Sequence, residues 1–143
     1  MLLYKQGRFY YDGISFILPD NFCLYTNIGV EYDNGIAFIN PEQNIVVEQF
    51  ICETNGDIKE CFSNSIKEGN FSYIIPITEV TINRLSGWYC LHKNRKEQTF
   101  EVRLDVENNK EFSCCIYSRN GKNIVELMKQ TVYKSIVEGI RKE

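Results

Sequence analysis

The most constraining stretch of the chain is Thr99-Phe-Glu-Val-Arg-Leu-Asp-Val-Glu107, in which polar and apolar residues alternate without a break. Successive side chains of a strand point to opposite faces, so Phe100, Val102, Leu104 and Val106 share one face. Glu101, Arg103, Asp105 and Glu107 then share the other, which is wet or only partly covered. Strand-like runs surround this one at 73–83, 86–93 and 111–119, with turn residues at Ser86-Gly87, Asn94-Arg95-Lys96 and Asn108-Asn109-Lys110. Connections this short join antiparallel neighbours, since a parallel crossover needs a dozen residues or more. The second half of the chain is therefore read as a four-strand antiparallel meander.

The first half opens with a hairpin signal. Asp12-Gly13 stands between Arg8-Phe-Tyr-Tyr11 and Ile14-Ser-Phe-Ile-Leu18, and both turn positions tolerate positive φ. Pro19 closes the second strand because it cannot donate to a ladder. Short strands follow near 22–26, 35–39 and 44–53, the last apolar on both sides and so expected inside a sheet. A helix is expected next, capped by Thr54 or Asn55, with Ile58, Cys61, Phe62 and Ile66 as its apolar stripe and Gly69 at its end. A final helix is read over 122–139, with Asn123 and Glu126 as a capping box and Val125, Met128, Val132 and Ile136 as its buried stripe. Ile124, Tyr133 and Ile140 flank that stripe. Strands and helices in this order give an α+β fold, an antiparallel sheet of about seven strands with helices packed on it.

A length of 143 residues suits a single domain, 1–143. The net charge of −3 argues against nucleic-acid binding, which leaves a basic footprint. No window approaches 18 uninterrupted apolar residues, so no membrane span is expected. The first residues, Met1 to Gly7, lack a secretory h-region, and a cytoplasmic location is the expectation. Six cysteines, Cys23, Cys52, Cys61, Cys90, Cys114 and Cys115, accompany one histidine. They include no Cys-x-x-Cys spacing, so free thiols are expected rather than disulfides or zinc.

The opening Gly13-Ile-Ser-Phe-Ile-Leu-Pro-Asp-Asn-Phe22, together with the order of strands, helix, four-strand meander and terminal helix, resembles the PsbP-like superfamily. That superfamily includes Ran-binding proteins of the Mog type and bacterial DcrB-like domains. The resemblance implies an α/β/α sandwich and mostly non-enzymatic binding domains, some DcrB-like members acting as chaperones. It carries no catalytic motif onto this chain.

The reactive residue types were weighed one by one. Cys90 and His92 share a strand face, but a Cys–His nucleophile needs close contact and a third, orienting group. Cys114-Cys115 point to opposite faces, which suits neither a relaxed disulfide nor a shared metal. Single glycines form no phosphate loop, and Lys93, Arg95 and Lys96 read as a solvated hairpin tip. No catalytic residue, cofactor site or metal site is expected.

Matching apolar residues pairs Val106 with Phe112, Leu104 with Cys114 and Val102 with Ile116 on the core face. Ser113, Cys115 and Tyr117 then join Glu101, Arg103 and Asp105. The same logic places Trp88 and Cys90 in the core, leaving Tyr89 and Leu91 beside Arg103 and Tyr117. A face with Tyr89, Leu91, Arg103 and Tyr117 has the composition of an interface. The simpler expectation is that a second helix layer, or the aromatic hairpin Phe9-Tyr10-Tyr11, covers it. The functional reading is a non-catalytic domain that binds a protein partner or itself through a sheet face or edge. The alternative is a carrier of a small molecule or lipid, and a pocket of several hundred cubic ångströms lined by Phe and Tyr would favour it.

Overall fold

A computed structural model describes residues 2–24, 35–54, 56–119, 121 and 123–143. Its strands are β1 (Leu2–Lys5), β2 (Arg8–Tyr11), β3 (Ile14–Phe16), β4 (Cys23–Leu24), β5 (Gly35–Asn40) and β6 (Ile45–Glu53). Helix α1 (Ile58–Glu68) precedes β7 (Ser72–Ile82), β8 (Leu85–Lys93), β9 (Gln98–Asp105) and β10 (Lys110–Ser118). Helices α2 (Ile124–Met128) and α3 (Thr131–Glu138) lead to β11 (Arg141–Lys142). Seven strands form an antiparallel sheet in the order β4-β5-β6-β10-β9-β8-β7. A second sheet of four short strands, β1-β2-β3-β11, joins the two ends of the chain. The α+β sandwich read from the sequence is the observed architecture.

Left-handed turn residues set every hairpin. Asp12 and Gly13 have φ of 49° and 83°, the mirror-image turn that the strand twist favours, and they set Tyr11 opposite Ile14. A second such turn, Gln6-Gly7 with φ of 54° and 80°, folds back β1, a strand that the sequence reading did not include. The β7–β8 turn is Asn83-Arg84, with φ of 47° and 70°, not Ser86-Gly87. It sets Ile82 opposite Leu85 and moves Gly87 inside β8, where a Cβ would stand 2.0 Å from the Arg103 carbonyl oxygen. Glu107, Asn108 and Asn109 are all left-handed and close the β9–β10 hairpin one step earlier than expected. Leu104 therefore faces Phe112, and Val102 faces Cys114. That shift of two residues keeps every side chain on its expected face.

The sheet carries a core on each side. The larger one packs Phe100, Val102, Leu104, Phe112, Cys114 and Ile116 against the small sheet and helices α2 and α3, through Ile14, Phe16, Ile124, Tyr133, Ile136 and Ile140. The smaller one packs Phe62 and Ile66 of α1 on Cys90, with Phe71, Ile77 and Trp88 around them. Helix α1 starts later than expected: Asp57 caps it, its side chain accepting from the Glu60 N–H at 3.0 Å. Thr54 instead accepts from the Gly56 N–H at 3.3 Å, and Asn55 lies outside the described residues, as does the end of the expected strand 22–26.

The terminal helix is two helices. Asn123 caps α2 as expected, accepting from the N–H groups of Val125 and Glu126 at 3.0 and 3.3 Å. The chain then breaks at Lys129-Gln130, where Gln130 turns extended at ψ 133°. The break rotates α3, so Ile124 and Leu127, then Tyr133, Ile136, Val137 and Ile140, are buried. Val132, expected in the stripe, is 50% exposed, and Val125 and Met128 are only half-buried. No described helix is long and apolar enough to cross a membrane.

Candidate functional site

The structure separates the four residues expected on one face. Register sets Tyr89 opposite Val102 and Leu91 opposite Phe100, whereas Trp88 faces Arg103 and Cys90 faces Glu101. Tyr89 and Leu91 thus belong to the side of the larger core, and Arg103 and Tyr117 to the side of α1. The parity inverted because Trp88 and Cys90 are apolar and buried as expected, but in the second core beneath α1. Apolarity alone does not say which of two cores receives a residue. The aromatic N-terminal hairpin packs on the larger core as well, through Phe9 and Tyr11; helix α1 is what covers the mixed face.

On the α1 side the alternating strand builds a polar cluster in place of a wet surface. Glu101, 8% exposed, accepts from His92 Nε2 at 3.0 Å and from Arg103 Nε at 2.7 Å. A carboxylate only accepts, so Nε2 carries the ring proton. Burial opposes ionisation of Glu101, but the His92 hydrogen bond and the Arg103 charge outweigh it and hold the carboxyl below its ordinary range. Arg103 lies 4.5 Å over the Phe62 ring and 3.9 Å from Glu111, which ties α1 to the cluster. Burial raises the Glu111 carboxyl, Arg103 opposes that, and Glu101 adds to it. Tyr117 donates to Glu48 at 2.6 Å. Glu48 is itself raised by burial, which the Tyr117 hydrogen bond opposes and the Glu101 charge reinforces.

None of the six cysteines is in a disulfide. Burial pushes the Cys90 and Cys114 thiols up to about 12, with the Glu101 carboxylate adding to the shift at Cys90. Cys115 is also raised well above its ordinary value by burial. A nucleophilic thiol is shifted the other way. His92 is held by a carboxylate and stacked 4.8 Å from the Phe71 ring. The cluster is therefore arranged to hold α1 on the sheet.

The opposite side of the same strands carries an open apolar groove of about 480 Å³. Tyr89 and Leu91 of β8 and Phe100 and Val102 of β9 form its floor, with Ile75 and Val80 of β7 as one wall. The Tyr89 and Phe100 rings stack with centroids 5.9 Å apart. Val125 and Met128 of α2 and Val137 of α3 form the other wall. Two polar clamps hold the helices away from the sheet at its ends. The Gln98 side chain accepts from the Ile124 N–H at 2.9 Å. The Asn83 amide donates to the carbonyls of Glu138 and Ile140 at 2.7 and 2.9 Å. The helix break lies between these clamps. Spacing in sequence could not have located this groove, because it depends on the break and on the parity of β8.

A mixed antiparallel sheet between helical layers, with a groove under the C-terminal helices and no activated thiol, defines a class of binding domain rather than a catalytic centre. No family model and no curated protein matches the chain. Among solved structures, the Saccharomyces cerevisiae Ran-binding protein Mog1p is similar over 91% of this chain and 90% of its own, at a TM-score of 0.60 and 10% identity. A Bacteroides thetaiotaomicron protein is similar over 97% of this chain, at a TM-score of 0.56 and 12% identity. The chain spans about half, 49%, of that protein's length. The chain has the PsbP-like fold.

Proposed function

We propose that the chain is a non-catalytic binding domain whose recognition site is the groove between β7–β9 and α2–α3, taking a small apolar or lipid-like ligand. The observation that carries this reading is the groove's concavity. A volume of about 480 Å³ lies within the roughly 300–1,000 Å³ of ligand pockets, and its floor includes Tyr89 and Phe100. Raised thiols at Cys90 and Cys114 support a role without covalent catalysis, and six unpaired-by-disulfide cysteines support a reducing, cytoplasmic setting.

A second reading keeps the groove but fills it with an apolar anchor from a protein partner. Its support is the likeness in fold to a Ran-binding protein and the openness of the groove along its length. Titration with octyl glucoside below its critical micelle concentration, followed by amide and methyl NMR, tests the shared claim. Shifts should cluster at Tyr89, Leu91, Phe100 and Met128. Shifts confined to α1 and the Glu101 side would defeat it. Sedimentation equilibrium separates the self-association version, which a strict monomer at high concentration removes.

A further inference from the structure

We infer that the groove's ligand is a single-chain anionic amphiphile, its alkyl chain on the aromatic floor and its headgroup between Lys129 and Lys134. This rests on the groove being the recognition site. It deepens that reading by assigning the headgroup.

The assignment follows from where charge sits around the groove. Floor and sheet wall offer apolar side chains and the Thr81 hydroxyl; the only charged side chains lining it are Lys129, Lys134 and Glu138, all on the helix lip. Two cations against one anion leave the lip basic on a chain whose net charge is −3. A polar head entering with an apolar tail would therefore find its counter-charge on this lip alone.

The two lysines are available. Lys129 pairs with Glu126 at 3.1 Å and Lys134 with Glu138 at 3.5 Å, and these side chains are 62–67% exposed. Such pairs are screened by water and hold their partners weakly, so an incoming carboxylate or phosphate exchanges with them at little cost. A ligand head shared by two lysines gains what a single exposed pair does not. The break at Lys129-Gln130 is what brings both cations to the same lip, since one lysine ends α2 and the other lies in the first turns of α3.

The tail is accommodated on the same evidence. Tyr89 and Phe100 offer a stacked, flat surface. Met128 lies half-buried on the helix wall and adapts its shape to chains of different length. Each methylene taken from water should tighten binding by about fourfold, until the chain reaches the end of the groove closed by the Asn83 clamp.

The test is a calorimetric series on the whole chain with dodecanoate, dodecyl phosphate, dodecyl maltoside and dodecyltrimethylammonium, all below their critical micelle concentrations. Dodecanoate and dodecyl phosphate should bind at least tenfold more tightly than the maltoside, and the ammonium most weakly. The double variant Lys129→Gln/Lys134→Gln should lose the preference while keeping the maltoside affinity. Equal affinities, or a preference for the ammonium, overturn the anionic assignment and leave the groove reading standing. Absence of binding by all four overturns both. Val125→Trp, which fills a half-buried position on the wall, should abolish binding with its melting temperature retained; binding that survives it would place the ligand elsewhere and overturn the inference.

Discussion

Replacing Glu101 by glutamine is the sharpest perturbation of the α1 side. The carboxylate is 8% exposed and carries two short hydrogen bonds, from His92 at 3.0 Å and Arg103 at 2.7 Å. Glu101→Gln leaves the Arg103 guanidinium buried with only Glu111 for a counter-charge, 3.9 Å away. Breaking a buried pair costs about 3–5 kcal/mol. Glu111 and the 14% exposure of the Arg103 side chain reduce that, so the expected loss at pH 7 is about 2–3 kcal/mol. For a chain of this size that lowers the melting temperature by roughly 6–10 °C.

The pH dependence supplies the second half of the test. The folded Glu101 carboxyl is held below its unfolded value, so its stabilisation is present above the unfolded value and is lost as pH falls through the folded one. Urea unfolding followed by Trp88 fluorescence should therefore show the parent's advantage shrinking from pH 6 towards pH 3. Glu111 has the opposite sign. Its folded carboxyl is raised, so its ionised form costs stability as pH climbs from the unfolded value through the folded one. Glu111→Gln should gain on the parent across that interval. A Glu101→Gln variant as stable as the parent at pH 7, or a penalty unchanged at pH 3, would refute the reasoning.

Two further outcomes follow from turn geometry and burial. Arg84 holds φ at 70°, a region costing a residue with a Cβ about 1–2 kcal/mol, so Arg84→Gly should stabilise the chain by about 1 kcal/mol in thermal melts. Iodoacetamide at neutral pH should modify the exposed Cys23 in the native chain and leave Cys90 and Cys114 intact, as peptide mass mapping would read; fast labelling of Cys90 would contradict its raised thiol.

Much of the fold was legible in the sequence because alternation and turn chemistry act locally. Asp12-Gly13 and the Thr99–Glu107 stretch each fixed a strand pair's faces without help from elsewhere. The candidate site was less legible. Trp88 and Cys90 are apolar, and they sit in an apolar environment, but Phe62 and Ile66 of a helix some 25 residues earlier provide it. The charged face of β9 read as partly wet because its partners, His92 and Glu111, lie on neighbouring strands. The groove needed the Lys129-Gln130 break, and nothing in Lys-Gln-Thr marks a helix end as Gly or Pro would. Its two clamps, Gln98 and Asn83, act across 26 and more than 50 positions.

The pairing of β3 with β11 sets Arg141 opposite Ser15 and Lys142 opposite Ile14, and the Glu143 N–H donates to the Gly13 carbonyl at 2.9 Å. Ser15 also donates to the Glu143 carboxylate, and Arg8 to the Gly139 carbonyl. A ribosome releases this chain from its amino end, so the earliest hairpin waits, half-zipped, for the last residues to arrive. Closing so long a loop is slow. Until residue 143 emerges, Ile14 and Phe16 lack the strand that seals their sheet, and a nascent chain is most open to chaperones and proteases in that interval.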